Sequence, residues 1–264
     1  MTPPIITLTT DFGLQDHYSG TMKGVILARC PNAQLVDITH ENAAFSILAG
    51  AYAISQAAPY FPTSTVHVVV IDPGVGTERK PLLAEENGQF FIAPDNGVLS
   101  FIVSRAARAV VRELSNRDLW LPSPSTTFHG RDVFAAVAGA LAGGKIRPED
   151  VGAVVNRPLL LDNLEPAEIE RGHWRGVVLS VDRFGNVVTN LKSVDFAGGL
   201  TGSFRLTAGG GEVTEVRETF SGAPHAGFVC RGSSGYLEIG VNQENAARRY
   251  SIRPGDSVDF RFGY

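Results

Sequence analysis

The sequence predicts an α/β N-terminal domain, a mostly parallel sheet sandwiched by helices over residues 1–160, joined to a C-terminal all-β barrel over residues 161–264. Three observations carry this expectation. Through the first half, short apolar runs alternate with longer amphipathic ones, as strand–helix–strand units around a parallel sheet do. The segment Gly143-Gly144-Lys145-Ile146-Arg147-Pro148 then breaks the alternation and opens a polar connection reaching Gly172. Beyond it, short strand-like runs follow at even spacing, separated by Gly, Pro and Asn and without long helices, which suits a small antiparallel barrel or sandwich.

Taken in order, residues 5–9 form an apolar run of strand length, followed by helical spacing over 17–29. Residues 34–38 read as a strand and 45–58 as an alanine-rich helix, stopped by Pro59, which has no N–H to continue it. The β-branched run 65–71 is the strongest strand signal in the chain. Further strands are expected at 82–85, 90–93 and 109–114, and helices at 98–107 and 132–142. The second half offers strands at 177–181, 203–207, 212–218, 227–229, 236–241 and 257–262. Open α/β sheets bind ligands beyond the carboxyl ends of their strands. Asp11 and Asp72, each following a strand, should therefore share one rim.

Composition excludes several classes. A net charge of −4 with no basic run or stripe argues against nucleic acid as a partner. Cys30 and Cys230 stand far apart with no CxxC pair, so neither a disulfide framework nor a zinc site is expected and a reducing, cytoplasmic setting is. The N-terminal residues lack a basic region and a long apolar stretch, and no run approaches the ~20 apolar residues of a membrane helix. A soluble protein with no membrane partner is the expectation.

Two polar clusters carry the chemistry. In Asp72-Pro73-Gly74-Val75-Gly76-Thr77-Glu78-Arg79 a strand runs into an aspartate, turns through two glycines, and places an arginine seven positions on. In Phe128-His129-Gly130-Arg131-Asp132 a histidine heads an apolar helix, near unpaired backbone N–H groups. The glycine loop lacks the ending of a P-loop and the third glycine of a dinucleotide fingerprint. From spacing alone Asp72 and Arg79 read equally as an ion pair that pins the loop. Asp11 suits either a turn or a pair of ribose hydroxyls, and Asp16 suits a helix cap. Asp182-Arg183-Phe184-Gly185-Asn186 is a tight turn that also gathers a carboxylate, an aromatic face and an amide. Asp11, Asp37, His40, Asp72 and His129 have ligand chemistry, but no metal-binding spacing supports a metal.

These motifs, with Thr10-Asp11-Phe12-Gly13 and Ser234-Gly235-Tyr236-Leu237-Glu238, occur in an order that resembles the S-adenosylmethionine hydroxide adenosyltransferase family, relatives of the fluorinase and chlorinase. The resemblance spans nearly the whole chain. It implies an α/β domain joined to a β-barrel, and a homotrimer whose active site lies between the first domain of one subunit and the barrel of its neighbour. It implies metal-free and cofactor-free hydrolysis of S-adenosyl-L-methionine to adenosine and L-methionine, with Asp72, Arg79 and His129 holding and activating the water. By the same matching Asp11 binds the ribose hydroxyls, and Asp16 and Asp182 lie near the methionine amino group. Phe184, Asn186 and Phe220 frame the adenine, Ser233 reaches the methionine carboxylate, Phe45 stacks on the sugar, and Phe128 lies in the catalytic motif. The fluorinase carries tyrosines at the places of Asp72 and His129 and a serine at Gly130, and has a loop inserted in the first domain that this chain lacks; both departures favour water over halide. Tyr18 and Ser234 stand where the fluorinase uses a serine and an arginine for methionine. Rival readings are a halogenase and a sensor that binds the nucleoside without turning it over.

The chemistry constrains the roles. Methionine leaves as a neutral thioether, so no general acid is needed. Lowering the pKa of water from about 15.7 to about 7 without a metal would require roughly 12 kcal/mol. A water oriented by Asp72 and Arg79 that loses its proton as it attacks is the cheaper route, with His129 as a proton relay.

Overall fold

The computed structural model describes residues 2–104, 109–220 and 225–263. The chain divides into two compact units, Met1–Leu161 and Asp162–Tyr264.

In the first unit, β1 (Ile5–Thr10), α1 (Tyr18–Arg29), β2 (Gln34–Thr39), α2 (Ile47–Ala57) and β3 (Val66–Val70) alternate strand and helix. They are followed by β4 (Pro81–Glu86), β5 (Gln89–Pro94), α3 (Ser100–Val103), β6 (Val110–Glu113) and α4 (Ala136–Ala142). The six strands lie in the order β2-β1-β3-β5-β4-β6. β1 pairs parallel with β2 and β3, and β3 with β5. β4, however, runs antiparallel to both β5 and β6, so the sheet is mixed, with β4 reversed against the other five strands. The reason is local. Asn87 and Gly88 both adopt left-handed backbone (φ 50° and 71°), and such a two-residue turn joins only antiparallel strands.

β3 is buried at all five positions, as a central strand covered on both faces must be. The connection from β1 steps to one side and that from β2 crosses back over β1 to reach β3. Right-handed crossovers therefore place α1 and α2 on opposite faces. The directions diverge between β1 and β3, which makes the crevice at their carboxyl ends the switch point of the sheet. Thr10 pairs with Val70, so Asp11 and Asp72 follow neighbouring strands at the same end. Met22 and Ile26 of α1, with Phe134 and Val137, pack on Ile6, Leu8, Val66, Val68 and Val70.

Three helices differ from expectation. The helix expected from residue 45 begins at Ile47, because Phe45 is left-handed (φ 65°) and the Ser46 side chain accepts the Ala49 N–H as N-cap. The helix expected over 98–107 is a single turn, α3; residues 105–107 fall outside the described residues. The helix expected from 132 opens at Gly130 as a π-helix (Gly130–Ala135) before continuing as α4.

The second unit is an eight-stranded, nearly barrel-shaped antiparallel sheet. Its strands are β7 (Ala167–Glu170), β8 (His173–Val181), β9 (Val187–Lys192), β10 (Phe204–Ala208), β11 (Gly211–Val213), β12 (Gly227–Arg231), β13 (Tyr236–Val241) and β14 (Ser257–Phe262). They lie in the order β11-β10-β14-β8-β9-β13-β12, with β7 on β8. The strand expected over 212–218 stops at Val213; beyond it Val216 makes an isolated bridge to Val229. Phe196, Phe204, Leu206, Val229, Leu237, Ile239 and Phe260 fill the interior. Asn190, buried in β9, is tolerated because Gly176 leaves room for its amide, whose oxygen accepts the Val177 N–H at 2.8 Å.

Candidate active site

The turn after β3 is set by backbone bonds from Val75 N–H to Asp72 C=O and from Thr77 N–H to Gly74 C=O, each 3.2 Å. Gly76 is left-handed (φ 81°), and a Cβ there would stand 2.5 Å from the Thr126 carbonyl. Only glycine lets the loop lie this close to the segment that leads to His129. Arg79 folds back over the turn and meets Asp72 with two bonds, Nε to Oδ1 at 3.0 Å and Nη2 to Oδ2 at 2.5 Å. Both side chains are nearly out of solvent, at 7% and 5% exposure. A bidentate, charge-assisted pair of this kind is what makes two buried charges tolerable.

Arg79 Nη2 also reaches His129 Nδ1 at 2.8 Å. A guanidinium can only donate, so Nδ1 accepts and the neutral ring carries its hydrogen on Nε2. Burial, then the Arg79 charge, pushes the His129 pKa below its ordinary value, with Asp72 and Asp132 opposing. The Arg79 guanidinium lies 5.3 Å from the centre of the Phe134 ring, and its Nη1 is buried with no hydrogen-bond partner among the described residues.

His129 enters the π-helix, a distortion that recurs at functional sites. Its neighbours are fixed by Asp132, which accepts both forks of Arg131 at 2.5 and 2.9 Å and the Ser125 N–H at 2.7 Å. Burial would raise the Asp132 pKa, but these bonds outweigh it and the carboxyl titrates below its usual range. Phe128 carries the Arg131 guanidinium on its face at 5.2 Å and packs edge-on to Phe12 and Tyr18, at 6.0 and 5.1 Å. Gly130 sits among Phe128, Met22 and Phe12, where an added Cβ would meet all three within 3.5 Å.

Beside this network, Asp11 Oδ2 accepts the Phe45 N–H at 2.8 Å. Phe45 combines left-handed backbone with a ring that is 71% exposed, a costly combination for an aromatic residue and one that clusters at functional sites. Asp16 is exposed ahead of α1. The helix is capped by neither Asp16 nor any other side chain: its N-cap is His17, which makes no side-chain bond.

In the second unit, Asp182, Phe184, Asn186, Phe220 and Ser233 line one cavity of about 770 Å³. Asp182 Oδ1 accepts the N–H groups of Phe184 and Asn186 at 2.9 and 2.8 Å, and Oδ2 accepts Asn186 Nδ2 at 2.9 Å. Phe184 is 77% exposed, while Phe220 packs on Phe228 at 5.3 Å. Glu238 faces the same cavity; burial, then the Asp182 charge, raises its pKa. Burial and Glu238 push the Cys230 thiol up to about 12, which keeps it protonated.

Sequence reasoning passed over Phe134, Asn96 and Glu238. Phe134, under Arg79, looks like one more apolar residue of a helix. Asn96 donates to the Ile71 carbonyl at 2.8 Å and holds the end of β3; its only signal is a polar residue beside a glycine turn. Glu238 was legible only as the last residue of the Ser234-to-Glu238 motif. The residues considered for a metal fall into separate pairings, His129 with Arg79 and His40 with Asp37. Among the described residues no group of three or more His, Cys, Asp or Glu could hold an ion, and no helix is long and apolar enough to cross a membrane.

A carboxylate–guanidinium–imidazole network at the switch point of an α/β unit, in a chain with a cavity of about 770 Å³ in a second β unit, defines a class of enzymes that act on a small polar substrate. The chain belongs to the S-adenosylmethionine hydroxide adenosyltransferase family: residues 6–152 match the model of the family's N-terminal domain and residues 176–259 that of its C-terminal domain. It is 34% identical to a protein of Methanocaldococcus jannaschii named (R)-S-adenosyl-L-methionine hydrolase, over 97% of this chain and 95% of that one. A Thermus thermophilus protein of the same name is also 34% identical, over 94% and 96%. The fluorinase of an Actinoplanes species is more distant, at 26% identity over 97% and 96%. The fold matches the crystal structure of an uncharacterized conserved protein from Thermotoga maritima, with a TM-score of 0.86 and 36% identity, covering 97% of this chain and 99% of that one.

Proposed function

We propose that this protein hydrolyses S-adenosyl-L-methionine by attack of water at ribose C5′, releasing adenosine and L-methionine. The observation that carries the reading is the Asp72–Arg79–His129 network. It holds a carboxylate and a neutral imidazole each within hydrogen-bonding distance of one cation, whose buried Nη1 has no acceptor among the described residues. The attacking water lies against the Asp72 carboxylate, its proton toward that group and the Arg79 charge alongside. With Nδ1 already accepting from Arg79, His129 offers Nε2–H rather than a free lone pair, so Asp72 takes the proton as attack proceeds and His129 steadies the oxygen. This departs from a His129 relay, because the tautomer is set by the guanidinium. Asp72 contributes general-base help of about 10² to 10⁴-fold, and Arg79 stabilises the growing negative charge.

Asp11 holds the ribose hydroxyls with Phe45 against the sugar, and Asp16 lies toward the methionine amino group. Phe184, Asn186 and Phe220 frame the base in the second-unit cavity, and Ser233 reaches the methionine carboxylate. The active form is a homotrimer with each site shared by neighbouring subunits, a reading supported by the exposure of Phe45 and Phe184 in the single chain. The names of the relatives point to the (R) configuration at the sulfonium as the preferred epimer.

Incubating the protein separately with each sulfonium epimer in ¹⁸O water tests the reading. The expected result is adenosine labelled at its 5′-oxygen, formed faster from the (R) epimer. Intact substrate after prolonged incubation, or adenosine without label, overturns it.

A further inference from the structure

The end of β1 is held by a second polar network that the reaction above leaves unused. Thr10, fully buried, places its hydroxyl 2.8 Å from His40 Nδ1, and the same oxygen accepts the Phe12 N–H at 3.2 Å. The hydroxyl either donates to Nδ1 or accepts from it; donation leaves the imidazole hydrogen on Nε2. That nitrogen faces Asp37 Oδ1 at 3.1 Å, at an angle short of a hydrogen bond. Asp37 Oδ2 in turn accepts Lys23 Nζ of α1 at 2.6 Å. The chain at His40 also grips the turn through its backbone: the His40 carbonyl accepts the Gly13 N–H at 2.7 Å, and Asn42 Nδ2 donates to the Thr10 carbonyl at 3.0 Å. With the Asp11–Phe45 bond, residues 40–45 stitch the Thr10–Gly13 turn at four points, and Asp11 lies inside the stitched segment.

The sheet holds this end of β1 regularly on one side only, through the β1–β3 ladder that reaches Thr10. The β1–β2 register slips between Leu8 and Thr9, so the ladder is irregular just before Asp11, and the aim of that carboxylate passes to side chains. We propose that His40 is a positioning residue: locked between Thr10 and Asp37, it sets the Asp11 carboxylate for the ribose hydroxyls. This rests on the assignment of Asp11 given above. A carboxylate displaced by about 1 Å loses up to about 10²-fold in such a role.

The test is a double-mutant cycle in the full chain, read as the adenosine Kd by calorimetry and as KM and kcat with S-adenosylmethionine. Thr10→Val and His40→Gln are each made alone and with Asp11→Asn. Each single variant is expected to weaken adenosine about ten-fold and raise KM equally, with kcat within about three-fold. In the Asp11→Asn background the penalty should shrink below about two-fold, since the carboxylate it aims is gone. An equal penalty in both backgrounds, or an unchanged Kd in a folded variant, overturns the proposal. Thr10→Val, nearly isosteric, carries the test if His40→Gln does not fold. A wild-type protein that binds adenosine but leaves every epimer intact overturns the hydrolase reading instead, and the Kd cycle still decides this one.

Discussion

Asp72 and Asp182 are carboxylates at the ends of strands, yet they are held in opposite ways. Asp72 is bound by an arginine side chain that also touches a histidine fifty positions away, and the side chains of the aspartate and the arginine are withdrawn from solvent. Asp182 is satisfied by groups within four residues of itself, in a loop whose aromatic ring stands in water. The first arrangement leaves a charged donor, Arg79 Nη1, without an acceptor among the described residues. The second commits the carboxylate to the backbone of Phe184 and Asn186 and to the Asn186 amide, which shapes the loop.

The comparison can be broken at four places. The largest effect is expected from Asp72→Asn, which keeps the volume but unpairs Arg79. Single-turnover adenosine release should fall by about 10³-fold or more while adenosine affinity changes little; turnover within ten-fold of wild type would remove Asp72 from the chemistry.

Next is the strand that delivers Asp72. His67 in β3 is fully buried, and burial lowers its pKa to about 4. Because the folded value lies below the unfolded value of about 6.5, its contribution is complete above pH 6.5 and lost as pH falls toward 4. At about 1.4 kcal/mol per unit this is roughly 3 kcal/mol. Thermal melts of wild type and His67→Gln at pH 7 and 4.5 should show the variant losing much less on acidification; parallel losses would refute the assignment.

Asp182→Ala should raise KM about 10- to 100-fold with kcat within a few-fold, since it loosens the loop and not the nucleophile. A loss mainly in kcat would put the two carboxylates in the same role.

The smallest effect concerns His129. Its lowered pKa keeps the ring neutral, with Nδ1 accepting from Arg79, below the ordinary histidine value. The acid limb of kcat/KM should therefore lie below pH 6.5, falling about ten-fold per unit, and should disappear in His129→Gln. A limb above 6.5 would show that the Arg79–Nδ1 bond is not kept.

Much of this was legible before the fold. The run at 65–71 and the polar residues after two strands placed Asp11 and Asp72 on one rim, because β-branched strands and strand-end ligands are local and topological signals. The reversal of β4 alone departs from the expected sheet, although Asn87-Gly88 stands in the sequence as a hairpin turn; two short apolar runs on either side read equally well as parallel strands. Phe45 was taken into a helix because periodicity ignores a single left-handed residue. Asp16 has the chemistry of a cap, yet the helix begins at Tyr18 with His17 at its N-cap and no side-chain bond there.

By itself the sequence determined which chemical groups are present, their order and the strand ends that carry them, since these follow from residue type and short-range spacing. Only the tertiary structure decided that Arg79 grips Asp72 with two bonds, that its guanidinium dictates the His129 tautomer, and that Asp182 is occupied by its own loop. Those facts depend on the direction of N–H groups brought together across fifty positions, and direction is a property of the packed chain rather than of spacing.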